Sequence, residues 1–92
     1  MAYVYILQSL KNNKYYIGSS KNLEKRIKEH NSGYGGNFTK INKPWNLICY
    51  KKCSTITEAR AQEKLIKSYK SGNAFKKIIH GEVPEWLKGA PC

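Results

Sequence analysis

Residues 3–18 read YVYILQSLKNNKYYIG and decide how the fold begins. Two short runs rich in aromatic and β-branched residues, 3–7 and 15–18, flank a polar Lys-Asn-Asn-Lys segment. Two such runs joined by turn-forming residues predict a β-hairpin. Apolar side chains occupy both alternating sets of positions, so we expect both faces of the resulting sheet to be covered.

The rest of the chain predicts helices around a third strand. Ser20 can cap the first helix, and Thr55 or Thr57 can cap the second. The strand follows Pro44 and is apolar on both sets of alternating positions. The predicted ranges are a helix over about 23–31, a loop through 35–37, a strand over 45–50, a helix over about 58–69 and a short helix over 74–79.

These elements predict a single α/β (α+β) domain over residues 1–80. Its core is a small three-stranded antiparallel sheet flanked by helices, in the order β-β-α-β-α-α. The last twelve residues, 81–92, show no helix or strand period and look like a translation of the 5′ part of a serine tRNA gene. We therefore predict that this C-terminal tail is not part of the domain, an ordinary ragged terminus being the alternative.

The charge of the chain points to a polyanionic partner. Seventeen Lys and Arg stand against six Glu and no Asp, which gives a net charge of +11. The lack of Asp largely excludes a cage of several carboxylates around a metal. Positive charge in this excess attracts nucleic acid, which is the partner we expect; a merely solvated surface is the alternative.

The chain shows no sign of a membrane span or of a disulfide framework. No run approaches the 18 apolar residues that a spanning helix needs. Cys49, Cys53 and Cys92 are odd in number, and no second Cys or His pair follows at zinc-binding spacing. We expect reduced thiols in a cytoplasmic protein.

Charged and polar residues border the apolar stripe of each long helix. At 100° per residue, Arg26 and His30 flank the stripe that contains Leu23 and Ile27, so they point towards the sheet or its rim. Glu63 lies at the edge of the stripe of the second helix. These positions allow two interpretations. In the first, the residues are structural: Arg26 lies at the boundary of the core, His30 is a hydrogen-bonded core residue and Glu63 forms an ion pair. In the second, they converge on one polar site, in which Glu63 is a metal ligand.

The tyrosines allow the same two interpretations. Tyr5 and Tyr16 lie in the two hairpin strands with ten residues between them, so they can approach each other across the sheet. Aromatic cross-strand packing explains such a pair. A phenol beside cations could instead serve as an acid or a base.

As an ordered set, these residues resemble the GIY-YIG nuclease superfamily. The set is Tyr3-Val4-Tyr5, then Tyr16-Ile17-Gly18, Arg26, His30 and Glu63, and the resemblance covers about residues 2–79. The first tripeptide has Tyr3 and Val4 where the name-giving Gly and Ile stand, whereas the second is intact. The chain looks most similar to small stand-alone bacterial members and more distantly to the nuclease domain of the DNA repair protein UvrC.

The resemblance implies an endonuclease that hydrolyses DNA phosphodiester bonds with one divalent cation, Mg²⁺ or Mn²⁺. By resemblance, Glu63 holds the metal, Tyr5 activates or orients the attacking water, and Tyr16 joins the same cluster. Arg26 would neutralise charge on the phosphate, His30 would assist Tyr5 or the phosphate, and Gly18 would let the backbone approach the site. Further contacts to phosphate or to the site are expected from Asn73, Lys14 and Lys25.

Two other functions remain open at this stage. A nucleic-acid-binding module of the same fold, without useful turnover, would keep the basic surface. A small basic ribosome-associated protein would explain the charge, but it would not explain the ordered set of Tyr5, Tyr16, Arg26, His30 and Glu63.

Overall fold

The computed structural model describes residues 1–33, 40–69 and 72–89. The predicted loop at 35–37 and Cys92 lie outside these ranges. Along the chain the elements are β1 (Ala2–Ser9), β2 (Tyr15–Ser20), α1 (Leu23–Ser32), β3 (Trp45–Cys53), α2 (Ile56–Ser68), α3 (Asn73–Ile79) and β4 (Leu87–Lys88).

The strands form one antiparallel sheet in the order β2-β1-β3-β4. This confirms the predicted α+β class, but in the described part of the chain the sheet has four strands and not three. The missed strand has only two residues, whose Cys49↔Lys88 and Tyr50↔Leu87 pairs attach it to the edge of β3. So short a strand leaves no period in the sequence, because its position depends on pairing with a distant segment.

The hairpin and the helices follow local chemistry. Asn13 adopts a left-handed backbone conformation, with φ of 63°, in the turn between β1 and β2. Thr55 caps α2 as predicted, its side chain accepting a hydrogen bond from the backbone N–H of Glu58. The cap of α1 is Asn22 and not Ser20: its side chain accepts from the N–H of Lys25, and Ser20 accepts instead from the N–H of Asn22.

The helices cover both faces of the sheet, as the hairpin pattern predicted. One face carries an apolar core that includes Val4 and Ile6 of β1 and Ala59 and Ile66 of α2. The opposite face buries Tyr5, Leu7 and Trp45, and Leu23 and Ile27 of α1 pack against them. Strand β1 therefore sends alternate side chains into two different interiors.

The tail lies against the domain in the residues that the structure describes. Trp86 is buried in the apolar core, Val83 packs against it, and the N–H of Gly89 donates to the carbonyl of Ile48. A Cβ at Gly89 would collide with the carbonyl oxygen of Leu47, so this backbone passes very close to β3. That the tail is no part of the domain stays a prediction.

Cys49 and Cys53 are free thiols in the apolar core. Burial raises the pKa of Cys49 to about 12 and also raises the pKa of Cys53. Both thiols are therefore protonated at neutral pH, the form in which Cys behaves as a small apolar residue. Within the described ranges, no helix has the length and apolar character that crossing a bilayer requires.

Candidate active site

The candidate site is built around the pairing of Tyr5 with Gly18. These residues are directly opposite each other in β1 and β2. The phenol of Tyr5 lies over Gly18, where a Cβ would stand 2.5 Å from the hydroxyl oxygen and 2.7 Å from Cζ. Contacts this short are not tolerated between real atoms, so only glycine allows Tyr5 its position.

The Tyr5 hydroxyl is held inside the protein by His30. The oxygen lies 2.9 Å from Nε2 of His30, and both side chains are almost completely buried. His30 comes from the last turn of α1. Its other nitrogen, Nδ1, is buried without a hydrogen-bond partner in the described part of the chain. A buried polar atom without a hydrogen-bond partner is costly, so Nδ1 of His30 marks a special position.

Neighbouring charges and burial set the protonation of the pair. Burial, followed by the neighbouring Tyr16, raises the pKa of Tyr5 to about 12, although hydrogen bonding by Arg26 acts in the opposite direction. Burial and the charge of Arg26 lower the pKa of His30 to about 4, against the opposing effect of Glu29. At neutral pH the phenol is therefore protonated and the imidazole neutral.

Arg26 stands at the entrance to this buried pair. Its side chain is about one-third exposed, and its Nη1 lies 3.3 Å from Oε2 of Glu29. Although burial lowers the pKa of Arg26, the hydrogen bond and charge of Tyr5 and the carboxylate of Glu29 raise it above its usual value. The side chain thus stays charged while part of it is exposed to solvent.

Tyr16 completes the aromatic side of the cluster. Its ring centroid lies 4.9 Å from that of His30 in an edge-to-face arrangement and 6.4 Å from that of Tyr5. A third contact, at 6.0 Å, joins it to Trp45. The two tyrosines therefore do approach each other, and both of the roles left open by the sequence, packing and chemistry, are compatible with their geometry.

Glu63 reaches the cluster from the opposite face of the sheet, along its β2 edge. Oε1 accepts a hydrogen bond from the hydroxyl of Ser19 at 2.7 Å, and Oε2 lies 2.6 Å from Nζ of Lys67. The carboxylate is close enough to Tyr5 for its charge to add to the rise in the phenol's pKa. The ion pair considered in the sequence analysis is therefore present, next to the polar cluster.

The donors around Glu63 fit a hard cation that keeps most of its water. No group of three or more His, Cys, Asp or Glu side chains surrounds a common point in the described ranges. A single carboxylate suits Mg²⁺ or Mn²⁺, because these ions take oxygen ligands and their coordination shell can be completed by water and phosphate oxygens. Lys67 occupies one carboxylate oxygen, and its own side chain is half-exposed.

A basic cavity of about 470 Å³ lies beside Arg26. We call it the arginine cavity, because Arg26 and Arg60, the only two Arg of the chain, both line it. Lys25 also lines this cavity, and its predicted contact to phosphate stays a prediction. Ser19 connects the cavity to Glu63. Sequence reasoning missed Arg60, Ser19 and Lys67. The spacing of Arg60, Glu63 and Lys67 by three and four residues on α2 could have indicated one shared face.

Two predicted contacts are not brought to this cluster. Lys14 is exposed in the hairpin turn, where its N–H donates to the side chain of Asn12. Asn73 is exposed at the start of α3, and no hydrogen bond in the described ranges joins it to Tyr5, His30 or Glu63. Tyr5, Tyr16, Gly18, Arg26 and His30 do converge, with Glu63 beside them.

Comparisons with known proteins find relatives over most of the chain. The family model described as the GIY-YIG catalytic domain matches residues 1–77. A UPF0213 protein of Staphylococcus saprophyticus is 37% identical over 79 residues, which cover 86% of this chain and 95% of that protein. A UPF0213 protein of Clostridium perfringens is 35% identical over 85 residues, covering 92% of this chain and 90% of that protein. Their names state no activity.

Proposed function

Because this chain belongs to the GIY-YIG family, we propose that it is a metal-dependent endonuclease that hydrolyses phosphodiester bonds of DNA. Membership of this superfamily supports a nuclease-type function, and the cleavage chemistry is our proposal. The observation that carries it is the buried Tyr5–His30 hydrogen bond, capped by the charged Arg26 and adjoining the carboxylate of Glu63.

We propose that Tyr5 and His30 together orient the attacking water and remove its proton. A phenol with a pKa of about 12 stays protonated at neutral pH, so it can accept a proton only while it gives up its own. The neutral His30 offers Nε2, 2.9 Å away, as the acceptor of that proton. In this arrangement Nδ1 carries the ring proton, and the water is oriented by the oxygen of Tyr5.

Arg26 is proposed to neutralise the phosphate during the reaction. In-line attack concentrates negative charge on the non-bridging oxygens of phosphorus. A guanidinium fork can contact two such oxygens, which a lysine cannot do with the same geometry. The partial exposure of Arg26 at the wall of the arginine cavity allows that contact without displacing the buried pair.

Glu63 is the residue proposed to hold the divalent cation. When bound, Mg²⁺ or Mn²⁺ would stabilise negative charge on the leaving oxygen and the phosphate. The hydroxyl of Ser19 orients the carboxylate by donating to Oε1. After burial and Tyr16, the charge of the Glu63 carboxylate also raises the pKa of Tyr5, which couples the two halves of the site.

The test is cleavage of labelled DNA with Mg²⁺, Mn²⁺ or EDTA. Glu63→Gln should abolish cleavage and Arg26→Lys should slow it by about 10²- to 10³-fold, the usual loss of one transition-state donor. Glu58→Gln is the matched control, because it removes the same charge from an exposed position of the same helix. It should cleave like wild type.

The competing function is a nucleic-acid-binding module of the same fold. It predicts that wild type and Glu63→Gln bind DNA equally, with steep salt dependence, and that neither cleaves it with any metal. Duplex, single-stranded, nicked and branched DNA, with RNA as a further substrate, should all be included. Absence of cleavage from every substrate would rule out the proposed enzyme.

A further inference from the structure

A second cavity lies on the other side of α1 and has a different lining. It encloses about 770 Å³, and Tyr3 and Tyr50 form part of its wall, so we call it the tyrosine cavity. The two rings contact each other edge to face, with centroids 6.1 Å apart. Both side chains are half-buried. Tyr5, which follows Tyr3 by two residues on β1 and pairs with Tyr50 on β3, is fully enclosed.

Positive charge surrounds these rings. Among the described residues, the lining of the tyrosine cavity includes four lysines and one carboxylate, that of Glu24. The lysines are Lys21, Lys28, Lys52 and Lys88. The apolar floor is completed by Leu23, Ile27 and Leu47. An aromatic and apolar floor with a rim of cations suits a ligand that combines a flat, uncharged face with negative charges, as a nucleotide does.

The two cavities adjoin at one place. Lys21 and Asn22, directly before α1, line both of them. Beyond that point α1 separates them: Ile27 and Lys28 face the tyrosine cavity, whereas Lys25 and Arg26 face the arginine cavity. A strand with its phosphate at Arg26 can therefore pass over Lys21, around the start of the helix, into the tyrosine cavity.

We infer that the tyrosine cavity binds an unpaired stretch of DNA next to the cleaved phosphate, with a base stacked against Tyr3 and Tyr50. The inference rests on the proposed function, because it extends the substrate from Arg26. A base can reach the rings only if it is free of its partner, since the face of a paired base is covered by its neighbours in the duplex. The preferred substrate thus has a single-stranded flank.

The experiment measures binding apart from cleavage. Fluorescence anisotropy of labelled single-stranded DNA and of duplex DNA of equal length is recorded in EDTA, with Glu63→Gln as the parent protein. Tyr50→Leu should weaken single-strand binding about 5- to 100-fold, the usual range for loss of one stacked base, and leave duplex binding unchanged. Tyr50→Phe keeps the ring and should bind within about twofold of the parent, as one ring face suffices for stacking.

A pair of charge variants provides a test that does not depend on the aromatic core. Lys28→Gln removes a cation from the rim of the tyrosine cavity, and Lys77→Gln removes one from the exposed face of α3, outside that lining. Lys28→Gln should reduce the salt dependence of single-strand binding by about 0.7 of a counterion, the value per neutralised phosphate of a single strand. Lys77→Gln should leave it unchanged.

Each outcome decides the matter. If Tyr50→Leu lowers the far-UV circular dichroism signal and is unfolded, the comparison of Lys28→Gln with Lys77→Gln alone tests the cavity. Equal salt slopes for these two variants, or unchanged single-strand binding by a folded Tyr50→Leu, overturn the inference. If Glu63→Gln loses cleavage and Tyr50→Leu binds single strands like the parent, DNA binding in the tyrosine cavity is refuted and the nuclease function stands. The reverse pattern, weakened binding without cleavage by wild type, would refute the nuclease only.

Discussion

The two faces of the sheet use the same strands for opposite purposes. Towards α2 and α3, Val4 and Ile6 of β1 enter a core of aliphatic and aromatic side chains and thiols. Towards α1, the intervening Tyr5 carries a buried hydroxyl that meets a buried histidine. One strand thus supplies stability on one side and a polar cluster on the other, in strict alternation.

The two faces differ in what burial contributes to stability. Burying aliphatic carbon is favourable by itself, at roughly 25 cal/mol per Å². Burying His30 is not, because the environment lowers its pKa to about 4 and leaves Nδ1 without a partner in the described ranges. The polar face is retained against this cost, as sites of chemistry commonly are. Substitutions on the two faces should therefore separate stability from activity.

The largest loss of stability is expected on the apolar face. Ile6→Ala removes a fully buried side chain from the core next to Ala59 and Ile66, and it should lower the free energy of unfolding by about 2–5 kcal/mol. Cleavage per folded molecule should stay near the wild-type rate, measured well below the transition temperature. The milder Ile6→Val, at about 1 kcal/mol, serves where the alanine variant does not fold. An Ile6→Val variant that is folded but inactive would contradict the assignment of stability to one face and of activity to the other.

The next effect is the dependence of stability on pH, which should come from His30 and not from His80. The folded pKa of His30, about 4, lies below its usual value of 6.5, so the unfolded chain binds more protons between these values. Stability that is fully present above pH 6.5 is therefore lost as the pH falls towards 4, by up to about 3 kcal/mol at 1.36 kcal/mol per pKa unit. Urea unfolding at pH 7 and pH 4.5 measures this difference.

Two glutamine variants make that measurement specific. His30→Gln should be less stable at pH 7 and should lose less stability on acidification than wild type, because the titrating group is gone. His80→Gln, at an exposed position after α3, is the control, and between pH 7 and pH 4.5 it should lose as much stability as wild type does. Equal pH dependence of all three proteins would show that His30 is not held in its neutral form.

Much of this arrangement could be predicted from local sequence, and the remainder could not. The hairpin, the covered sheet faces and the cap at Thr55 follow from patterns within a few residues. The helical wheel placed His30 beside the apolar stripe, and it is buried against Tyr5. Ser19 as the partner of Glu63 was missed, because that contact joins residues 44 positions apart. Strand β4 was missed for the same reason: its pairing depends on a distant edge.

A smaller effect should follow from filling the space above Gly18. Gly18→Ala places a methyl group 2.5 Å from the hydroxyl oxygen of Tyr5, so the phenol must move away from His30. We expect a loss of about 1–3 kcal/mol in the free energy of unfolding and a larger proportional loss of cleavage. Adding Tyr5→Phe removes the closest clashing atom and should recover part of the stability without any activity. Full activity of Gly18→Ala would contradict the placement of Tyr5.

The smallest effect is expected where the two faces meet, at the ion pair between Glu63 and Lys67. Lys67 is half-exposed, and such pairs contribute under about 1 kcal/mol to stability. Its amine occupies the oxygen of Glu63 that a cation would need, so the two compete. Lys67→Gln should therefore lower the Mg²⁺ concentration for half-maximal cleavage by about two- to fivefold, a range that corresponds to less than 1 kcal/mol. Lys64→Gln removes the same charge from an exposed site on α2 and should not shift the Mg²⁺ titration. A parallel shift in both variants would mean that overall charge, and not competition at Glu63, sets the requirement for metal.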